Sequence, residues 1–134
     1  MIGELTKNIL EAVLETIPIE FSVVDEHDNV RAWNKHETRI FKRPKAVVGR
    51  NVRKCHPEKS LHKVERILSE MKEGTRDKAR FWIDLHVPGN EEQQKVLIEY
   101  YALRDKNGNY IGCLEASQNI SELQILTGQK RLLD

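Results

Sequence analysis

Apolar residues recur along this chain with two periods, and the clearest change of period falls between Gly49 and Gly74, G-R-N-V-R-K-C-H-P-E-K-S-L-H-K-V-E-R-I-L-S-E-M-K-E-G. A tight turn and a Cys-His-Pro step lead there into an amphipathic helix. Leu61, Val64, Ile67, Leu68 and Met71 fall on one stripe at helical spacing, and Lys63, Glu65, Arg66, Ser69, Glu70 and Lys72 fill the rest of the circumference. A helix with one apolar face needs something to cover. All strand candidates lie outside this stretch, on both sides of it, so the helix reads as a wall laid across a sheet assembled from both halves of the chain.

From the start, Ile2 to Thr16 places Ile2, Leu5, Ile9, Ala12 and Val13 on one stripe, and Pro18 ends it because the residue before a proline is pushed out of the helical region. Ile19, Phe21 and Val23 alternate with Glu20 and Ser22. A polar turn follows at Asp25-Glu26-His27-Asp28-Asn29, and Val30 to Trp33 returns, which predicts a hairpin. Asn34 to Phe41 and Pro44 to Val48 predict short helical turns stopped by Gly49. After Gly74, Ala79, Phe81, Ile83, Leu85 and Val87 alternate with Lys78, Arg80, Trp82, Asp84 and His86 as far as Pro88-Gly89-Asn90. Val96 to Arg104 is apolar on both faces except for Glu99, the signature of a strand covered on both sides. Lys106-Asn107-Gly108-Asn109 predicts a hairpin turn and Tyr110 to Ser117 the returning strand. Ser121, with Gln124 three residues on, has capping-box spacing and predicts a last helix carrying Leu123, Leu126, Leu132 and Leu133, weakened by Gly128.

Composition narrows the function classes. A chain of 134 residues fits one domain, and 22 Lys and Arg against 21 Asp and Glu leave a net charge of +1. That balance offers neither the basic field of a nucleic-acid binder nor the polybasic run of a membrane-surface protein. The apolar runs are far shorter than a bilayer span, and the start of the chain lacks the continuous core of a signal peptide, so a soluble cytoplasmic protein is expected. Cys55 and Cys113 stand far apart without C-x-x-C spacing and read as reduced thiols. Paired carboxylates, a nucleophile elbow and a phosphate loop are not visible, and the chain reads as no enzyme.

Several motifs carry a family resemblance. V-R-A-W-N at Val30 to Asn34 resembles the second strand of PAS sensor domains, with its frequent closing Asn. A-V-V-G-R-N-V at Ala46 to Val52 resembles their glycine turn, and R-D-K-N-G-N-Y-I-G at Arg104 to Gly112 their last hairpin. Asn119-Ile120-Ser121-Glu122 is similar to the D-I-T-E element before the exit helix, with Asn in place of Asp. C-H-P-E-K-S and the F-W-I strand further resemble the branch of PAS domains attached to hemerythrin-like bundles. The resemblance implies an α+β fold with a five-stranded antiparallel sheet curved around a cavity, helices on one face, and flanking helices at both ends. It divides the chain into an N-terminal helix over 1–17, the PAS domain over 18–120 and an exit helix or linker over 121–134. Sensing is the function it implies, with a change in the cavity relayed through the terminal helices to an effector. It leaves the ligand open, because members bind haem, flavin, organic acids or nothing.

The residues discriminate among these. G-R-N-V-R-K-C at Gly49 to Cys55 resembles the flavin-binding branch, but Val52 holds the adduct-forming position, and Val96 and Ser117 stand where that branch places flavin-binding amides. A photoactive flavin adduct is therefore not expected. Haem needs an axial ligand, and His62 lies near the helix position that haem-binding members use. At ~100° per residue, however, His62 shares its face with Arg66, Ser69 and Glu73, opposite the apolar stripe. Cys55 and His56 are better placed at a cavity mouth, where either could ligate iron or simply form the turn into the helix with Pro57. Cys55, His56 and His62 lack zinc spacing and a fourth ligand, so no metal site is expected.

The expected ligand is a small, largely apolar molecule, with haem as the sharper alternative and a ligand-free dimerisation module as the rival. Leu61, Val64, Leu68, Phe81, Ile83, Val96, Ile98 and Tyr100 form its expected wall. Cys113 joins them if Ile111, Cys113 and Glu115 point inward. The opposite parity, with Leu114 and Ala116 inward, fits the residue types equally well. The leader stripe is expected to make a homodimer, with packing on its own sheet as the alternative.

Overall fold

A computed structural model describes residues 1–133 of the chain. The elements are α1 (Lys7–Thr16), β1 (Glu20–Asp25), β2 (Val30–Trp33), two single 3-10 turns at Lys45–Val47 and Val52–Cys55, α2 (Glu58–Glu73), β3 (Lys78–Leu85), β4 (Gln94–Arg104), β5 (Tyr110–Asn119) and α3 (Ser121–Gln124). The five strands form one antiparallel sheet in the order β2-β1-β5-β4-β3. As the two hairpin signals predict, β5 returns through the middle, pairing with β4 on one side and β1 on the other. Phe21 lies opposite Ala116 and Glu20 opposite Ser117.

Helix α2 crosses one face of this sheet and buries Val64, Leu68 and Met71. These pack with Val24, Val52, Ala79, Tyr100 and Cys113 into the core. Gly74 ends the helix in the left-handed conformation, at φ 83°, which glycine adopts without steric penalty. Arg104 on β4 donates to the last-turn carbonyl of Met71 at 2.8 Å, tying the helix end to the sheet. The same end of α2 is also tied by Asp28 in the β1–β2 turn. Its buried carboxylate accepts from Arg53 at 2.9 Å and from Lys72 of α2 at 2.7 Å.

Strand register settles which side chains face the helix. Ser22 is opposite Glu115, Glu115 is opposite Tyr100, and Tyr100 is opposite Ala79. Glu20, Ser22 and Val24 of β1 and Cys113, Glu115 and Ser117 of β5 therefore share the inner face, and all six are buried. A register shift beside Leu103 and Arg104 absorbs the exposed Ile111 while Tyr110 still packs against the core.

Three expected helices change. Asn34 to Phe41 is not helical, because key polar groups at its two ends bond to backbone and a carboxylate outside the segment. The Asn34 amide donates to Leu14 and Ile19 carbonyls and accepts from the Phe21 N–H at 2.7 Å, and Lys35 takes φ 52°. The leader helix starts at Lys7, not Ile2: Thr6 caps it, and Gly3 sits at φ 83°. The last helix comprises Ser121–Gln124 alone, and of the expected 121–134 segment residue 134 lies outside the described residues. The Ser121 hydroxyl accepts from the Lys95 N–H at 2.8 Å rather than capping its own helix, and Gly128 and Leu132 both adopt positive φ.

Candidate functional site

The loop from Asn34 to Pro44 is held over the inner face of the sheet by a buried pair, Arg39 and Glu20. Four guanidinium N–H groups of Arg39 donate within the protein, and the charge is paired with Glu20. Nε donates to Phe41 O, one terminal nitrogen to Phe21 O and Asn34 O, and the other to Ser22 Oγ, while the Glu20 carboxylate stands 3.3 Å from that nitrogen as an ion pair. Glu20 in turn accepts from the backbone N–H groups of Ile40 and Phe41. Burial pulls the Arg39 guanidinium below its ordinary value, against the opposing pull of Glu20.

Beneath this loop and the first half of α2 lies a cavity of about 890 Å³. Val64 and Ile67 of α2, Phe81, Ile83 and Leu85 of β3, Ile98 and Tyr100 of β4, and Ile40 and Phe41 of the loop supply its apolar wall. Phe81 and Tyr100 meet edge to face at 5.5 Å between ring centroids. Its other wall is polar, with Arg39, Lys42 and Arg43 from the loop, Cys55 and His56 before α2, Ser60 and Lys63 on α2, His86 after β3, and Ser22, Glu115 and Ser117 from the sheet.

Glu115 and Arg43 meet inside. Arg43 Nη2 donates to Glu115 Oε2 at 3.1 Å. Burial raises the Glu115 carboxyl above its usual range, opposed by Arg43 and Arg39, and the same burial with Glu115 nearby pushes the Tyr100 phenol up. Burial lowers the His56 imidazole, reinforced by Arg43, so the neutral ring is favoured. Arg43 Nε and His56 Nε2 are buried without a hydrogen-bond partner among the described residues.

Of the expected site residues, Cys55, His56, Val64, Phe81, Ile83, Ile98 and Tyr100 come together around the cavity. Leu61, His62, Leu68, Val96 and Cys113 are not among its lining residues. His62 is exposed, as its place opposite the apolar stripe implies, and Leu61 is half-buried. Leu68, one residue after the lining Ile67, turns to the core and packs there with Val24 and Met71. Val96 is fully buried near the β4 end, opposite Asn119. Cys113 faces inward within the core, where burial pushes its thiol up to about 12 and leaves it protonated and unreactive. Val52, at the flavin-adduct position, is likewise core. Among the described residues no three His, Cys, Asp or Glu side chains gather as a metal site, and no helix is long and apolar enough to cross a membrane.

The cavity residues that pattern reading misses include apolar Ile40, Phe41, Ile67 and Leu85 as well as polar ones on the loop, the sheet and α2. Arg39, Lys42 and Arg43 stand in a segment without periodicity, and Ser22 and Glu115 occupy a buried face where alternation offers no apolar signal.

A family profile described as a PAS domain matches residues 10–121. Among solved structures, a C-terminal domain from Streptococcus mutans is 31% identical over 95% of this chain and 94% of its own, with a TM-score of 0.82. The PAS domain of BvgS from Bordetella pertussis is similar at 15% identity over 87% of this chain and 90% of that one, TM-score 0.61. A sensory box sensor histidine kinase from Vibrio cholerae is similar at 12% identity over 92% and 93%, TM-score 0.56. No curated protein matches the chain.

Proposed function

The chain belongs to the PAS domain family, whose members are sensory signalling modules, and we propose from that premise that it senses through a small molecule held in the cavity under α2. The observation that carries this reading is the cavity itself, of a size that holds small ligands and lined on one side by apolar groups and on the other by polar ones. The polar lining favours a ligand that carries a polar or charged group beside its apolar body. Strand β5 supplies the route outward. Its Glu115 and Ser117 line the cavity, and four residues beyond Ser117 the chain turns into α3, docked by the Ser121–Lys95 bond. A ligand that prefers one setting of β5 thus biases the segment leading to an effector. C-H-P-E-K-S, which places Cys55, His56 and Ser60 at the cavity, supports membership of the branch attached to hemerythrin-like bundles.

Native mass spectrometry of protein purified without denaturation is expected to show a stoichiometric small-molecule adduct. A bare chain mass, with crystal density showing only water in the cavity, would leave the ligand-free dimerisation module instead. One observation favours a haem version: the unpartnered Nε2 of His56 on the cavity wall. Haem would supply gas or redox sensitivity, and a Soret band after haem supplementation, lost in His56→Ala, is its test.

Assembly as a homodimer rests on α1. No residue of this helix is buried: Ile9 and Val13 on it keep 51% and 41% of their surface exposed, and Leu5 just before its cap keeps 42%, so the stripe is not consumed by its own sheet. Sedimentation equilibrium is expected to show a dimer that Leu5→Glu and Ile9→Glu dissociate. A parent that stays monomeric at high micromolar concentration ends the idea.

A further inference from the structure

The two arginines over the cavity differ in a way that bears on its ligand. Arg39 spends four N–H groups on the protein, pairs its charge with Glu20 and acts as a clip. Arg43 has one resident partner, Glu115, and a buried Nε that bonds to nothing among the described residues. Beside it the His56 Nε2 is in the same condition. A buried donor without a partner is costly, and native proteins keep such groups where something else completes them. The charge count points the same way. Arg39, Lys42, Arg43 and Lys63 line the cavity against one carboxylate, Glu115. Glu20 answers Arg39 from behind, which leaves three cations facing a single acid.

We propose that the polar end of the cavity, built by Arg43 and His56, is an anion subsite that takes the acidic head of a small amphiphilic ligand whose apolar body lies against Val64, Phe81, Ile83 and Ile98. Glu115 is the stand-in for that head, occupying part of the Arg43 fork until a ligand acid supplies a second acceptor to Nε. Carboxylate, sulfonate and phosphate heads share the required chemistry: planar or tetrahedral oxygens that an arginine can bind with two N–H groups. This inference rests on the cavity being a ligand site, and its test separates the two.

The probes are 8-anilinonaphthalene-1-sulfonate and its uncharged parent, N-phenyl-1-naphthylamine, titrated by fluorescence against the folded protein. The sulfonate is expected to bind about tenfold more tightly than the neutral parent. Arg43→Met removes that advantage and leaves the parent within about twofold. Glu115→Gln, which frees the fork, tightens the sulfonate, a gain that misfolding does not produce. Ile98→Trp, which fills the apolar wall, weakens both probes and confirms that they report the cavity. Equal affinities for the two probes, or a sulfonate affinity unchanged by Arg43→Met and Glu115→Gln, overturn the anion subsite while leaving the ligand cavity standing. Binding of neither probe overturns both.

Discussion

Arg39→Ala will lower folding stability by about 3–5 kcal/mol, a large share of what a domain of this size has to lose. The substitution leaves the Glu20 carboxylate buried with only the Ile40 and Phe41 amides, and it strips donors from Asn34 O, Phe41 O and Ser22 Oγ. Urea denaturation followed by far-UV circular dichroism reads the loss. Were Arg39 and Glu20 merely an ion pair, replacing both with methionine would recover most of the stability, since well-packed apolar groups often substitute for buried charges. That recovery is not expected here. The double variant still orphans two amides and two carbonyls of the Asn34 to Phe41 loop, each at about 1–3 kcal/mol when buried. A double variant as stable as the parent would show that the loop needs no clip. Arg39→Lys, with three donors in place of five, will fall between parent and alanine variant.

Gly112→Ala is the second large loss, about 3 kcal/mol by the same measurement. Gly112 lies opposite Asp25 on one side and Leu103 on the other, beside the register shift in β5. Its backbone approaches β1 so closely that an added Cβ would collide with the Val24 carbonyl oxygen. That obstacle is main chain, so no rotamer relieves it. Separating β5 from β1 is the remaining response, and it weakens the pairing on which the sheet centre depends. Gly108→Ala is the informative contrast: a Cβ there meets nothing, and its cost is the left-handed backbone alone, at φ 83°. If the two variants prove equally mild, the close approach at Gly112 is not what the sheet requires.

Sequence patterning disclosed the frame of this molecule and passed over its contents. β3 alternates apolar and charged residues because only one of its faces meets α2, and β4 reads apolar on both faces because it lies inside the sheet, so both were legible. The α2 stripe and Gly74 were legible for the same reason: a packed face and a left-handed stop leave local marks. β1 was not. It buries Glu20 and Ser22 on the side where alternation would place its apolar residues, since that face supports a clip and a polar cavity wall instead of a greasy core. The loop carrying Arg39 and Arg43 has no period at all. Its conformation is set by bonds to β1 and to the chain before it, and contacts between distant residues leave no local trace. Glu115 was visible only as one side of an undecided parity, which the pairing of β5 with both neighbours resolves.

The pairing of Glu20 with Ser117 has a mechanical consequence. Because β1 and β5 run antiparallel at the sheet centre, the chain comes into the sheet and leaves it at the same pole. Tension applied between those two points would pull along the hydrogen-bonded rungs and open them one at a time, beginning at Glu20 and Ser117, instead of loading the whole ladder in shear. Such a zipper yields at low force, and the first rungs to part are those nearest the cavity wall at Ser117 and Glu115. A neighbour that tugs or twists the flanking segments would therefore reach the cavity early, before the outer strands feel any strain.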